Sequence, residues 1–226
     1  MSACPSGTVF LVRIIRERCP YISGTLSASY RNVVPDWQES SSLPRHRILV
    51  EWLGKHVDQV RDKRILHFAQ EEQVKKWFDD NGIEYTTADL YKPADLKINI
   101  EDTGLDDDSY DVIICNHVIE HVDDYIKALK ELRRIVSSNG MVIISFPVDL
   151  SYVHVVEDLS VTEKEDRVLK FGQADHKRVF GRDSRNILES VGFKVVDISG
   201  DDCSNIIKPV IGPADYDYNK LWCLTL

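Results

Sequence analysis

The spacing of apolar residues changes twice along the chain. In PRHRILVEWLGKHV (44–57), Ile48, Leu49, Trp52, Leu53 and Val57 recur at helical spacing behind Pro44, which predicts a helix. From 64 the pattern shortens. RILHFA predicts a strand, and EEQVKKWFDDNG a helix that opens on Glu71 and Glu72, buries Val74, Trp77 and Phe78, and stops at Asn81-Gly82. IEYTTADL, DLKINI and YDVIICN predict three more strands. VDDYIKALKELRRIV predicts a strong helix with Val122, Tyr125, Ile126, Leu129, Leu132 and Val136 on one face. SSNG ends it before a fifth strand, MVIISFP. A long connection (148–181) precedes a helix in RDSRNILESVG and strands in FKVVDIS and NKLWCLTL. Residues 1–42 show no such rhythm and end in the Ser-rich QESSSLP. They are expected to form an irregular extension to one domain spanning 43–226.

Strands alternating with helices predict an α/β fold with parallel pairing. The fourth and fifth strands are almost continuously apolar, as strands buried on both faces should be. Ligands on such sheets bind beyond the carboxyl ends of the strands. Here those ends are Ala69-Gln70-Glu71, Asp89, Asn99, Asn116-His117 and Pro147.

Composition narrows the partners. At 226 residues with 43% hydrophobic content, the chain can bury a core. A net charge of -9 argues against a nucleic-acid partner. Five scattered cysteines without a CxxC pair suit reduced thiols and a cytoplasmic setting. The apolar run TVFLV at 8–12 is too short for a membrane span.

Three cofactor types compete for the sheet edge. A P-loop is excluded because GxxxxGK[ST] is missing. A nicotinamide dinucleotide needs glycines for close approach to its pyrophosphate, and Phe68-Ala69-Gln70-Glu71 has none. S-adenosylmethionine carries no phosphate. It presents a ribose, an adenine and a cationic methionine end, so the missing glycines count least against it.

The stretch 44–199 resembles class I S-adenosylmethionine-dependent methyltransferases, and most closely the small type 11 group associated with surface-glycan biosynthesis. The pieces that carry the likeness are ILHFAQE, YTTADLY, DDDSYDVIICNHVIEHVDD, ELRRIVSSNG before MVIISFP, and FGQADHKRVFGRD. The resemblance implies a Rossmann-like, seven-stranded, mostly parallel sheet flanked by helices, with NKLWCLTL as an antiparallel last strand. It also implies cofactor contacts from Phe68, Ala69, Gln70, Glu71, Asp89, Leu90, Asn99, Ile100, Asn116 and His117. Asp89, at the end of the second strand, would accept the ribose hydroxyls. Asn99 stands where the family places an acidic residue, and could still accept from the adenine amine.

The segment HVIEH (117–121) also matches H-x-x-E-H, a zinc peptidase signature that needs its two histidines on one helical face. Here it follows a buried strand directly, ahead of the helix, so no metal is expected. On the methyltransferase reading, Asn116 and His117 line the methionine end and Glu120 or His121 faces the substrate. On the plainer reading, Glu120 and His121 are a polar cap.

FGQADHKRVFG (171–181) falls where these folds carry a substrate lid. Phe171, Gly172, Phe180 and Gly181 read as anchors for Gln173, Asp175, His176 and Arg178. Methyl transfer needs a base only for a protonated acceptor, and a histidine suits that task. His176 is the first candidate and His121 the second, with Asp175 orienting the imidazole. Gln173 and Glu120 would touch the substrate, and Arg178 would grip an anionic group on it. The acceptor is expected to be a small molecule, with a glycan-related one implied by the resemblance alone.

The other histidines read as structural: His46 and His56 on the surface, and His67 buried and hydrogen-bonded. Two further classes remain. One is a non-catalytic methyltransferase-like partner subunit. The other is a short-chain oxidoreductase, whose Tyr-x-x-x-Lys is matched only at Tyr216 and Lys220, beside the last strand.

Overall fold

The computed structural model describes residues 44–198, 216–217 and 220–226. The extension expected at 1–42 lies outside them. The first helices are α1 (Pro44–Lys55) and α2 (Val57–Val60). Then come β1 (Ile65–Phe68), α3 (Glu72–Asn81), β2 (Thr86–Ala88), β3 (Tyr110–Asn116), α4 (Tyr125–Ile135) and β4 (Val136–Ser145). The long connection holds β5 (Val148–Asp149), β6 (Val156–Glu157), α5 (Lys164–Phe171) and β7 (Arg178–Val179). The chain closes with α6 (Ser184–Ser190), β8 (Lys194–Ile198), β9 (Tyr216–Asp217) and β10 (Leu221–Thr225).

Six strands form the main sheet among the described residues, in the order β2-β1-β3-β4-β10-β8. β1 runs parallel to β2 and β3, and β3 parallel to β4. β10 is antiparallel to both β4 and β8, so the expected antiparallel last strand is present. The third predicted strand, DLKINI, is reduced to one parallel bridge, Ala88 to Leu96, at the β2 edge. Leu96 and Ile98 still pack on the core, so the apolar alternation was real but carries almost no ladder. The helix expected to end at SSNG stops earlier. Val136 turns extended, and β4 runs through 137–140 past an irregularity in its pairing with β3.

Burial follows the period-2 pattern, one set of side chains on each side of the sheet. Leu66, Phe68, Ile113, Cys115, Val142 and Ile144 pack under α4 residues Leu129 and Leu132. Ile65, Val112, Ile114 and Ile143 pack with Leu49 and Leu53 of α1 and Val74 and Phe78 of α3. α3 ends at Gly82 in the left-handed region, where its N–H reaches the Asp79 and Phe78 carbonyls. Trp222 is buried against Phe146, with ring centroids 4.6 Å apart. Cys115 and Cys223 are unbridged.

The connection is not a bare loop. It holds the helix α5, and β6 pairs with β7. Phe171 and Phe180 are buried, and Phe180 lies 4.2 Å from the Phe146 ring and edge-on to Tyr125. At Gly181 a Cβ would sit 2.7 Å from the His154 carbonyl oxygen, so only glycine fits that close backbone approach. The anchoring expected of these residues is what they do. No described helix is long and apolar enough to cross a membrane.

Candidate active site

The β3–β4 register sets Asn116 beside Ser145 at the carboxyl ends of both strands. Ser145 Oγ donates to Asn116 Oδ1 at 2.9 Å, and Asn116 Nδ2 donates to Glu71 Oε2 at 2.9 Å. Glu71 Oε1 accepts from His46 Nε2 at 2.7 Å and from Arg45 at 3.1 Å. Burial pushes the Glu71 carboxyl up. The His46 hydrogen bond and charge, the Arg45 charge and the Asn116 bond outweigh it and hold the group well below the usual carboxylate range. The chain Ser145–Asn116–Glu71–His46 thus ties two strand ends and the start of α3 to α1. His46 is buried, not a surface residue as expected. The signal was available, since His46 shares the α1 face of Leu49 and Leu53.

The glycine-free turn reaches its shape another way. Ala69 adopts φ 48°, the region glycine would favour, and its N–H donates to the Ala88 carbonyl at 2.8 Å. Gln70 donates to the Tyr85 hydroxyl at 2.5 Å. Phe68 and Ile100 are core side chains, so only their backbone is available to a ligand at this edge. Asp89 Oδ1 accepts from the Tyr91 and Lys92 N–H groups, each at 2.7 Å. Oδ2 takes part in neither bond. Asp89 therefore caps its own turn through one oxygen and has the other left over. Leu90 and Tyr91 beside it are exposed. Asn99 Oδ1 accepts from the Glu101 N–H at 3.0 Å and shapes its own turn.

His67, expected to be buried and hydrogen-bonded, is buried only. Neither ring nitrogen has a partner. Burial lowers its pKa to about 4 against the Glu71 charge, which raises it, and His46 lowers it further.

Beyond β3 the chain turns sharply, with His117 at φ 53°. HVIEH then forms a turn, not a helix. That excludes the zinc hydrolase reading, which needs both histidines on one helical face. Glu120 is 0% exposed, and neither carboxylate oxygen has a hydrogen-bond partner. His117 Nδ1 lies 3.0 Å from Glu120 Oε1, in contact but without hydrogen-bond alignment, and His117 Nε2 is buried and unpartnered. His121 Nε2 lies 3.9 Å from the same oxygen. His176 comes in from the lid, buried, with its ring 4.9 Å from that of His121. Burial lowers the His176 pKa against the pull of Glu120. Burial raises that of Glu120, but the facing imidazoles His117, His121 and His176 bring it below the usual range.

Asp175 contacts His121, its Oδ2 being 3.5 Å from His121 Nδ1, so it orients that imidazole and not His176. Gln173 is exposed on the rim. Arg178 departs most from expectation. It is fully buried and donates to the carbonyls of Ile119 (2.7 Å), Val122 (2.6 Å) and Asp123 (2.9 Å). It also donates through Nε to Glu157 (2.6 Å), and Nη2 pairs with the same carboxylate. Every guanidinium donor is used, so Arg178 holds the 119–123 loop and has nothing left for a substrate anion. Tyr216 sits in the two-residue strand β9, which removes the oxidoreductase alternative that needs a helix there.

A sequence profile of methyltransferase domains matches residues 69–198, more than half of the chain. The chain belongs to the methyltransferase-domain family. The match begins in the glycine-free turn and ends at β8, so it contains Glu71, Asn116 and the whole Glu120 cluster, while His46 and Arg45 lie before it. Among solved structures, an S-adenosylmethionine-dependent methyltransferase from Archaeoglobus fulgidus aligns at TM-score 0.50 and 13% identity, over 80% of this chain and 94% of its own. The 1,6-didemethyltoxoflavin-N1-methyltransferase of Burkholderia thailandensis, with bound 1,6-didemethyltoxoflavin and S-adenosylhomocysteine, aligns at TM-score 0.50 and 14% identity, over 99% and 90%. The [4+2]-cyclase SpnF aligns at TM-score 0.52 and 12% identity, over 96% and 93%. At these identities the likeness is one of fold. No curated protein sequence matches.

Proposed function

We propose that this methyltransferase-family protein binds S-adenosylmethionine along the carboxyl ends of β1, β2 and β3. We further propose that it transfers the methyl group to an oxygen of a small-molecule acceptor held against the Glu120–His121–His176 cluster. Asp89 Oδ2, outside the turn its partner oxygen caps, is the ribose acceptor, and Asn99 and the backbone of Leu90 and Ile100 face the adenine. The Ala69-Gln70-Glu71 turn and the Asn116-His117 corner take the methionine end. His176 and His121 address the acceptor, and lid residue Gln173 closes over it. A sugar or other glycan-related hydroxyl is the acceptor class favoured by the sequence resemblance.

The observation that carries this reading is the pairing, inside one family-matched segment, of a spare carboxylate oxygen at the β2 end with a histidine-rich cluster after β3. Catalysis would come mostly from alignment, since displacement at a sulfonium needs nucleophile and methyl carbon in line at contact distance.

A second reading, a protein that keeps the fold for binding or for other chemistry, draws support from the internally bonded Glu71 and Asn99. The fold itself does not fix the reaction. Thermal unfolding with S-adenosylhomocysteine, and separately with NAD, tests the first. At 100 times its dissociation constant the homocysteine product should add about 2.7 kcal/mol, a rise of several degrees. Asp89→Ala should reduce that rise, and NAD should give none. No shift with either ligand would sink the cofactor assignment.

A further inference from the structure

We propose that Glu120, His121 and His176 form a binding site for one divalent transition-metal ion. One donor atom from each of these three residues lies within 4.8 Å of the other two. Ligands of a first-row ion sit about 2.0–2.2 Å from it, hence roughly 3–4 Å from each other. The cluster is therefore close to that geometry and reaches it by small side-chain rotations.

Three observations single the cluster out. First, Glu120 is completely buried, and its neighbours are imidazoles only, the nearest being His117 Nδ1 at 3.0 Å from Oε1, with no aligned hydrogen bond to either oxygen. Buried charges are ordinarily paired and hydrogen-bonded, or coordinate a metal. Second, both histidines are held as ligating histidines are. His176 Nδ1 lies 3.1 Å from the Phe171 carbonyl oxygen, and His121 Nδ1 lies 3.2 Å from the Asp175 carbonyl oxygen. A carbonyl only accepts, so each Nδ1 carries the proton and each Nε2 keeps its lone pair. This outer bond fixes tautomer and ring orientation in metal sites. Third, His117 Nε2 is buried without a partner. Its Nδ1 stands 3.0 Å from Glu120 Oε1, so His117 is the carboxylate's orienting neighbour.

Two imidazoles and one carboxylate favour Zn²⁺, Fe²⁺, Co²⁺ or Ni²⁺ over Mg²⁺ and Ca²⁺, which take oxygen ligands. Glu120 here is a ligand, not the base of a hydrolase, and the second histidine comes from the lid and not from one helix. Three protein ligands leave positions open. A doubly charged ion with one carboxylate carries net positive charge and would draw an oxygen acid.

On the methyltransferase reading, on which this step rests, an acceptor hydroxyl bound to the ion loses its proton to water. Its oxygen then forms the C–O bond as the S–C bond of the sulfonium breaks, giving an ether and the neutral thioether. The ion lowers the acceptor's pKa, and no protein base is required.

The test is calorimetric titration of untagged, chelator-stripped full-length protein with Zn²⁺, and with Co²⁺ followed by its visible absorption. The expected result is about one ion per chain with micromolar or tighter affinity, and far weaker binding of Mg²⁺. His121→Gln, on a half-exposed side chain, should weaken binding by more than about tenfold. His176→Asn should do the same, with circular dichroism confirming its fold. His154→Ala, at an exposed histidine outside the cluster, should change nothing. Absent binding, or binding equally strong in His121→Gln and His176→Asn, overturns the site. S-adenosylhomocysteine binding is measured separately on the metal-free protein. A metal site without a homocysteine shift overturns the cofactor reading and leaves the ion, and a homocysteine shift without a metal does the reverse.

Discussion

Two buried glutamates stand in opposite states. Glu71 accepts from His46 and Arg45 of α1 and from Asn116 of β3. Glu120, more deeply buried, accepts from none and has only imidazole contacts. Glu71 keeps a small exposed fraction, whereas water cannot reach the Glu120 carboxylate to make up the difference. A satisfied buried ion holds a fold together, and removing one of its partners is expensive. An unsatisfied one is itself a standing cost and persists where something else uses it. The contrast separates the frame of the site from its working part, although both glutamates lie within one family-matched segment.

The largest effect should come from cutting the frame. Glu71→Ala leaves His46 and Arg45 facing a buried void and should lower stability by about 3–5 kcal/mol in urea unfolding. A loss under about 1 kcal/mol would show that α1 is not tied to the sheet edge through this residue.

Acid should act on the same region by about as much. His67 has a folded pKa near 4 against an ordinary 6.5. Below pH 6.5 the unfolded chain takes up a proton that the folded chain refuses, so stability falls from pH 6.5 down to about 4 and then levels for this group. The size is about 3 kcal/mol from a shift of that order. Glu71, held low in the fold, adds its own loss below its ordinary 4.5. Unfolding of His67→Phe at pH 7 and pH 5 should show a flatter dependence than the wild type. An unchanged slope would assign the acid sensitivity elsewhere.

A smaller effect is expected in the turn. Ala69 sits at φ 48°, a conformation that costs a non-glycine residue about 1 kcal/mol. Ala69→Gly removes that strain but gives the unfolded chain more freedom. The net change should lie between zero and about 1 kcal/mol of stabilisation. A clear destabilisation would mean that the Ala69 methyl group packs usefully.

The parts of this molecule legible in the sequence were those set by periodicity. β1, β3, β4 and β10 announced themselves through apolar runs, and α4 through its striped face, though it starts only after Asp124, which caps it by accepting from the Lys127 N–H at 2.9 Å. DLKINI kept its alternation but lost its ladder, because alternation reports which side chains are buried and not whether a backbone partner exists. Candidate residues at the strand ends were legible from where each apolar run stops. Their roles were not, because a role depends on which way a side chain points in three dimensions. Arg178 reads from the sequence as a substrate grip, since nothing local reveals that loop carbonyls 55–59 residues away consume its donors. His46 was misread although its helical face pointed inward.

The most direct measurement is urea unfolding of metal-free Glu120→Gln beside the wild type. An isosteric amide removes the buried charge and keeps the shape beside His117, whose Nδ1 lies 3.0 Å away without hydrogen-bond alignment. Stability should stay within about 1 kcal/mol of wild type or rise. A loss matching that of Glu71→Ala would contradict the account, because Glu120 would then be a second structural ion pair and not a group kept for a ligand.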